Sequence, residues 1–99
     1  MAMMLLVRLW ARAGAQDDLI AYEDEVLALL GDHGGRVVER MRTHGGADEP
    51  DDRPFEVQVL EFESPAGLES YLADPRRTAL ADRRDEAIAR TELTHVRAV

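Results

Sequence analysis

Two stretches of strict alternation, MLLVRLWA (residues 4–11) and FEVQVLEF (residues 55–62), are each followed after a short break by a segment with helical spacing. In the first, Leu5, Val7 and Leu9 alternate with Leu6, Arg8 and Trp10, the period of two that a strand requires. In LIAYEDEVLALLGDHGG the apolar positions Leu19, Tyr22, Val26, Leu29 and Leu30 recur at three and four. That spacing predicts one amphipathic helix, capped by Asp17 or Asp18, with Glu23, Asp24 and Glu25 on its outer face and an end at Gly31 or Gly34-Gly35. RVVERMRT is a short Val-rich strand, and HGGADEPDDRP from His44 to Pro54 is a loop. After the second alternating strand, Ser64 suits an N-cap and Pro65 the first helical position. Leu68, Tyr71 and Leu72 give that helix its buried side, and Asp74-Pro75 interrupts it. RRTALADRRDEAIAR continues as a second helical segment, and TELTHVRAV closes the chain as a strand.

The order is β-α-β-β-α-β in two similar halves. Right-handed crossovers place both helical units on one side of a single antiparallel sheet. The expected fold is α+β, a ferredoxin-like sandwich with sheet order 4-1-3-2, and residues 1–99 form a single domain.

Two helical units cover only one sheet face. Orienting each strand by its polar residues puts Leu5, Val7, Leu9, Leu60, Phe62, Val96 and Ala98 under the helices. Leu6, Arg8, Trp10, Val57, Val59, Glu61, His95 and Arg97 then share the other face. Covering about 600 Å² of such mixed surface, at roughly 25 cal/mol per Å², favours association by roughly 15 kcal/mol before association costs. A two-fold homodimer with the sheets face to face is the expectation.

Composition narrows the functions. A net charge of −8 argues against a nucleic-acid partner. With no cysteine there is no disulfide and no thiolate site, and with no lysine no Schiff base. All 12 basic residues are arginine. The opening MAMMLLVRLW carries its charge after the apolar run and reads as a strand, not a signal peptide. No run approaches the ~20 apolar residues of a membrane span, so a cytoplasmic chain is expected.

LLGDHGGRVVER followed by VQVLEFESPAGLESYLADPRRTAL resembles the small bacterial proteins of the dimeric α/β-barrel superfamily. It is most similar to a family there that is a domain of unknown function. Members read as a helix, HGGR, a strand, LEFPS, an amphipathic helix and an aromatic residue near SPEY. His33-Gly34-Gly35-Arg36 and Leu60-Glu61-Phe62 match, Tyr71 stands at the helical aromatic position, and the likeness runs over about residues 18 to 90. The loop from Ala47 to Asp52 is longer than the family's. The resemblance implies a homodimeric barrel with a pocket between sheet and helices, and no particular reaction. More distant cousins of the fold include quinol monooxygenases, muconolactone isomerases, polyketide cyclases and heme-dependent enzymes. The monooxygenase pattern combines asparagines with a tryptophan. This chain has no asparagine, and Trp10 alone does not restore the pattern.

The candidate chemistry is sparse. His95 is a possible general base beside Glu61 and Arg8, if the three share a sheet face; the alternative is an ionic set fixing the dimer interior. Trp10 and Tyr71 are the candidate ligand-stacking wall, against an equally ordinary role in core and interface. Arg76, with Arg77, stands where it would guard a pocket mouth and attract an anion, or else pair with the acids of the 47–52 loop. His33 is a candidate ligand contact and, more simply, a helix-end cation. His33, His44 and His95 lack metal-ligand spacing, and no cofactor or metal motif is present. Three functions follow: a homodimer binding a small, partly apolar metabolite; a cofactor-independent isomerase, cyclase or monooxygenase; a structural or regulatory dimer with no ligand.

Overall fold

The computed structural model describes residues 2–44 and 52–99. The strands are β1 (Met3–Ala11), β2 (Gly35–Arg42), β3 (Glu56–Phe62) and β4 (Ile88–Val96). Helix α1 (Gln16–Leu27) and a 3₁₀ turn (Leu30–His33) link β1 to β2, while α2 (Pro65–Leu72), α3 (Pro75–Thr78) and α4 (Ala81–Ala87) link β3 to β4. All strand pairs are antiparallel and run β2-β3-β1-β4 across the sheet, which reads 4-1-3-2 from the β4 edge. This is a ferredoxin-like α+β fold whose second helical unit is split in three.

Proline and cap chemistry explain the split. Ser64 caps α2, its hydroxyl accepting from the Gly67 N–H at 3.4 Å, with Pro65 in the first turn. Asp74 ends the segment and caps α3, accepting from the Arg76 N–H at 2.8 Å. At α1 the expected aspartate cap is corrected. The helix starts earlier, from Ala15, because Gly14 turns the chain at φ 76°; Asp17 and Asp18 occupy the first turn, where the dipole favours them. The α-helix also stops at Leu27, and the 3₁₀ turn carries the chain on to Gly34, left-handed at φ 68°. The last helix ends at Ala87, so Ile88 opens β4 instead of closing a helix.

The core lies between sheet and helices: Leu5, Val7, Leu9, Leu60 and Phe62 from the sheet meet Leu19, Tyr22, Val26, Leu30 and Tyr71. Two glycines permit close approach. A Cβ on Gly35 would stand 2.8 Å from the Phe62 ring, and one on Gly67 only 2.3 Å from the His33 carbonyl oxygen. α2 therefore seats directly on the 3₁₀ turn.

Register corrects one strand's orientation. Leu5 pairs with His95, Val7 with Leu93 and Leu9 with Thr91, so these β4 residues share the helix side. Val96 pairs with Met4 and lies on the outer side, the reverse of the sequence expectation. The strand offers no apolar face to read, because threonines stand on both sides. The register also shifts between Trp10 and Ala11.

Candidate functional site

A cleft of about 370 Å³ opens between the helix side of the sheet and the helices. β1 supplies Leu5, Val7 and Leu9, and β4 supplies Ile88, Thr91 and Leu93. α1 contributes Tyr22, Glu23, Val26 and Leu27, and the split second unit contributes Leu68, Tyr71, Leu72, Arg77 and Arg84. The short helices leave part of β4 uncovered. Leu93 is 47% exposed although it shares the helix side with buried Val7.

Polar groups gather along one part of this apolar lining. Glu23 was expected on the outer face of α1 with Asp24 and Glu25; it is instead 6% exposed. Its spacing from Leu19, Tyr22, Val26 and Leu30 puts it on the inner stripe, which was legible in the sequence. Gln58 Nε2 donates to Glu23 Oε1 at 2.7 Å and to Glu56 Oε2 at 2.6 Å. Glu56, fully buried, also accepts from Arg40 Nε at 2.8 Å and from Arg42 Nε at 3.0 Å. Arg40 Nη1 reaches out to Asp24 at 2.6 Å. A relay of charge therefore runs from the cleft wall to solvent.

Burial pushes the Glu23 carboxyl up, and neighbouring Glu56 adds to this, against the Gln58 hydrogen bond and the Arg40 and Arg77 charges. Burial likewise pushes the Tyr71 phenol up to about 12 despite the Arg77 charge nearby, and it raises Tyr22. Arg77 stacks over the Tyr71 ring, 5.2 Å from its centroid. The wall offers two phenolic O–H donors, the guanidinium groups of Arg77 and Arg84, and a carboxyl whose pKa burial raises. Such a set binds oxygen acceptors and can pass a proton.

The sequence candidates fall into separate places. Tyr71 lines the cleft. Trp10 does not: it lies on the outer face with Arg90 3.7 Å and Arg8 5.9 Å from its ring centroid, so it forms no wall with Tyr71. Nor do the proposed catalytic residues assemble. Arg8 pairs with Glu92 at 2.7 Å and Glu61 with Arg36 at 3.0 Å, on the outer face, while His95 is exposed on the helix side. His33 and Arg76 both converge on Asp74. His33 Nε2 is 2.8 Å from Asp74 Oδ2 with its Nδ1 2.7 Å from Ser70 Oγ, and Arg76 Nη2 donates to Asp74 at 2.7 Å and to Asp32 at 3.0 Å. This clasp locks the 3₁₀ turn to the break after α2, and Arg76 thus pairs within its own region. The 47–52 loop lies outside the described residues except for Asp52, which is 3.4 Å from Arg90. Among the described residues no three His, Asp or Glu side chains converge as metal ligands. Also among them, no helix is long and apolar enough to cross a membrane.

The two acids shape the pH profile in opposite senses. Hydrogen bonds from Arg76 and His33 hold the Asp74 carboxyl well below the usual carboxylate range. Its stabilisation is present above the unfolded-state pKa and is lost as pH falls through the folded one. Glu23, raised, contributes stability below its unfolded value, and this is lost as pH climbs through its folded pKa. Melting curves from pH 3 to 9 should show Asp74→Asn flattening the acid limb, while Glu23→Gln removes part of the fall in stability that sets in above the ordinary carboxylate range. A fall of the same size in Glu23→Gln would contradict the raised Glu23 pKa.

No family model matches the chain, and no curated protein sequence matches it. Solved structures do resemble it. A protein of unknown function from Rhodopseudomonas palustris superposes with TM-score 0.81 at 19% identity, over 99% of this chain and 82% of that one. A putative antibiotic biosynthesis monooxygenase from Bacteroides thetaiotaomicron gives 0.71 at 18% identity, over 99% and 90%. A DABB-family protein with a ferredoxin-like fold from Mesorhizobium loti gives 0.69 at 15% identity, over 99% and 97%. At these identities the likeness is one of fold.

Proposed function

We propose that this protein is a cytoplasmic homodimer that binds a small, partly apolar metabolite between sheet and helices, with no cofactor. The observation that carries the reading is the cleft of about 370 Å³, aliphatic over most of its wall and polar around Glu23, Tyr71 and Arg77. That combination suits an organic molecule with one oriented polar end. The dimer rests on the outer sheet face, where Met4, Leu6, Trp10, Met41, Val57 and Val59 are only partly covered. A structural dimer with no ligand calls for an interior filled by side chains, and the cleft argues against it.

A second reading, a cofactor-independent enzyme, draws on one observation: Glu23 is a buried carboxyl of raised pKa beside an apolar cleft, the environment that poises an acid for proton transfer. Any such chemistry centres on Glu23 and Tyr71 in place of His95, Glu61 and Arg8.

Octan-1-ol titrated into methyl-labelled protein tests the binding reading. Saturable shifts are expected at the methyls of Val7, Leu68, Leu72 and Leu93. Shifts confined to outer-face methyls such as Val57 and Val59, or none that saturate, would overturn it.

A further inference from the structure

Resting on the binding reading above, we infer that the cleft selects a hydrophobic monocarboxylate, whose head is held by Arg77 and whose body lies along Val7, Leu68 and Leu93. Charge balance makes the argument. Most arginines of the described residues have a carboxylate close by: Arg8 and Arg90 with Glu92, Arg36 with Glu61, Arg40 and Arg42 with Glu56, Arg76 with Asp74, Arg83 with Glu25, Arg84 with Asp85. Arg77 forms no such pair among the described residues. It is half-buried on the cleft wall, its charge set against the Tyr71 ring, and its Nε is enclosed with no hydrogen-bond partner. Thr91 Oγ1, on the sheet side of the same cleft, is likewise enclosed without a partner. A cation without a counter-ion on a mostly aliphatic wall is costly, and the anionic head of a ligand offsets it.

The remaining groups restrict the head. A guanidinium presents parallel N–H donors that match the two oxygens of a carboxylate. Tyr22 and Tyr71 add hydroxyl donors on the same lining. With the Glu23 carboxyl on the same lining, a dianion such as a phosphate monoester would have only one arginine without a carboxylate pair to answer its two charges. The rest of the wall is aliphatic, so a short polar acid would leave most of it unfilled.

Calorimetric titration at pH 7 with octanoate and octan-1-ol, which share a chain and differ in the head, tests this. The folded protein is expected to bind octanoate about tenfold or more tightly than octan-1-ol. Arg77→Met should erase that preference by weakening octanoate far more than octan-1-ol, with a cooperative melt reporting that the fold is intact. If Arg77→Met loses both ligands, Arg77→Gln decides by the same criterion. Equal affinity for the two in the unmodified protein, or a preference that survives both substitutions, overturns the inference and leaves the binding reading standing. If neither molecule binds the unmodified protein, both readings are overturned.

Discussion

Glu56→Ala should destabilise the fold by about 3 kcal/mol, the size expected when one member of a buried ionic set is removed. The carboxylate is fully buried under α1 and accepts from Gln58, Arg40 and Arg42. Truncating it strands a buried amide donor, takes from the mostly buried Arg40 its inner carboxylate, leaving only Asp24, and takes from Arg42 at the rim its partner. It also brings a cavity, which adds to the loss. For a domain of this size, such a loss lowers the melting temperature by roughly 12–20 °C. Adding Arg40→Met should recover part of it, because the two residues share one network and their effects do not add. Urea denaturation of the single and double variants measures both. A Glu56→Ala protein within about 0.5 kcal/mol of the parent would mean the network contributes nothing.

The second large effect belongs to Gly67. Its Cβ position falls 2.3 Å from a backbone oxygen, that of His33, which cannot swing aside as a side chain does. Gly67→Ala must therefore lift α2 off the 3₁₀ turn and stretch the contacts of His33 with Ser70 and Asp74. A cost of about 2 kcal/mol is expected, enough to lower the melting temperature by roughly 10 °C. Gly31→Ala is the control, since nothing lies within 4 Å of a Cβ there. Thermal melts of the two variants should differ clearly; equal curves would show that α2 does not rest on that carbonyl.

How far these features could be read from sequence depends on the residues. Strands β1 and β3 were legible because one alternating set in each ends in large apolar groups, Leu5-Val7-Leu9 and Leu60-Phe62. The same parity already implied that Gln58 and Glu56 lie beneath the helices, an unusual place for an acid and the signal that a buried network must exist. The phase of β4 was not legible. Thr91, Leu93 and His95 differ little in polarity from Glu92, Thr94 and Val96, and only pairing with β1 decides between them. That one ambiguity moved His95 away from Arg8 and Glu61 and dissolved the catalytic set. Glu23 was misplaced because its acidic neighbours Asp24 and Glu25 suggested a solvated run, while helical spacing alone put it inside. Trp10 and Tyr71 are both large aromatics, and nothing local in either segment says that the sheet separates them.

On the proposed function one sheet serves two purposes: its helix side carries the cleft, and its outer side, bearing Met4, Leu6, Trp10 and Val59, would meet a second copy. Light scattering at micromolar concentration tests this most directly. The expected result is twice the 11.1 kDa chain mass, with Val59→Asp halving it. A mass of 11.1 kDa for the unmodified protein would contradict it.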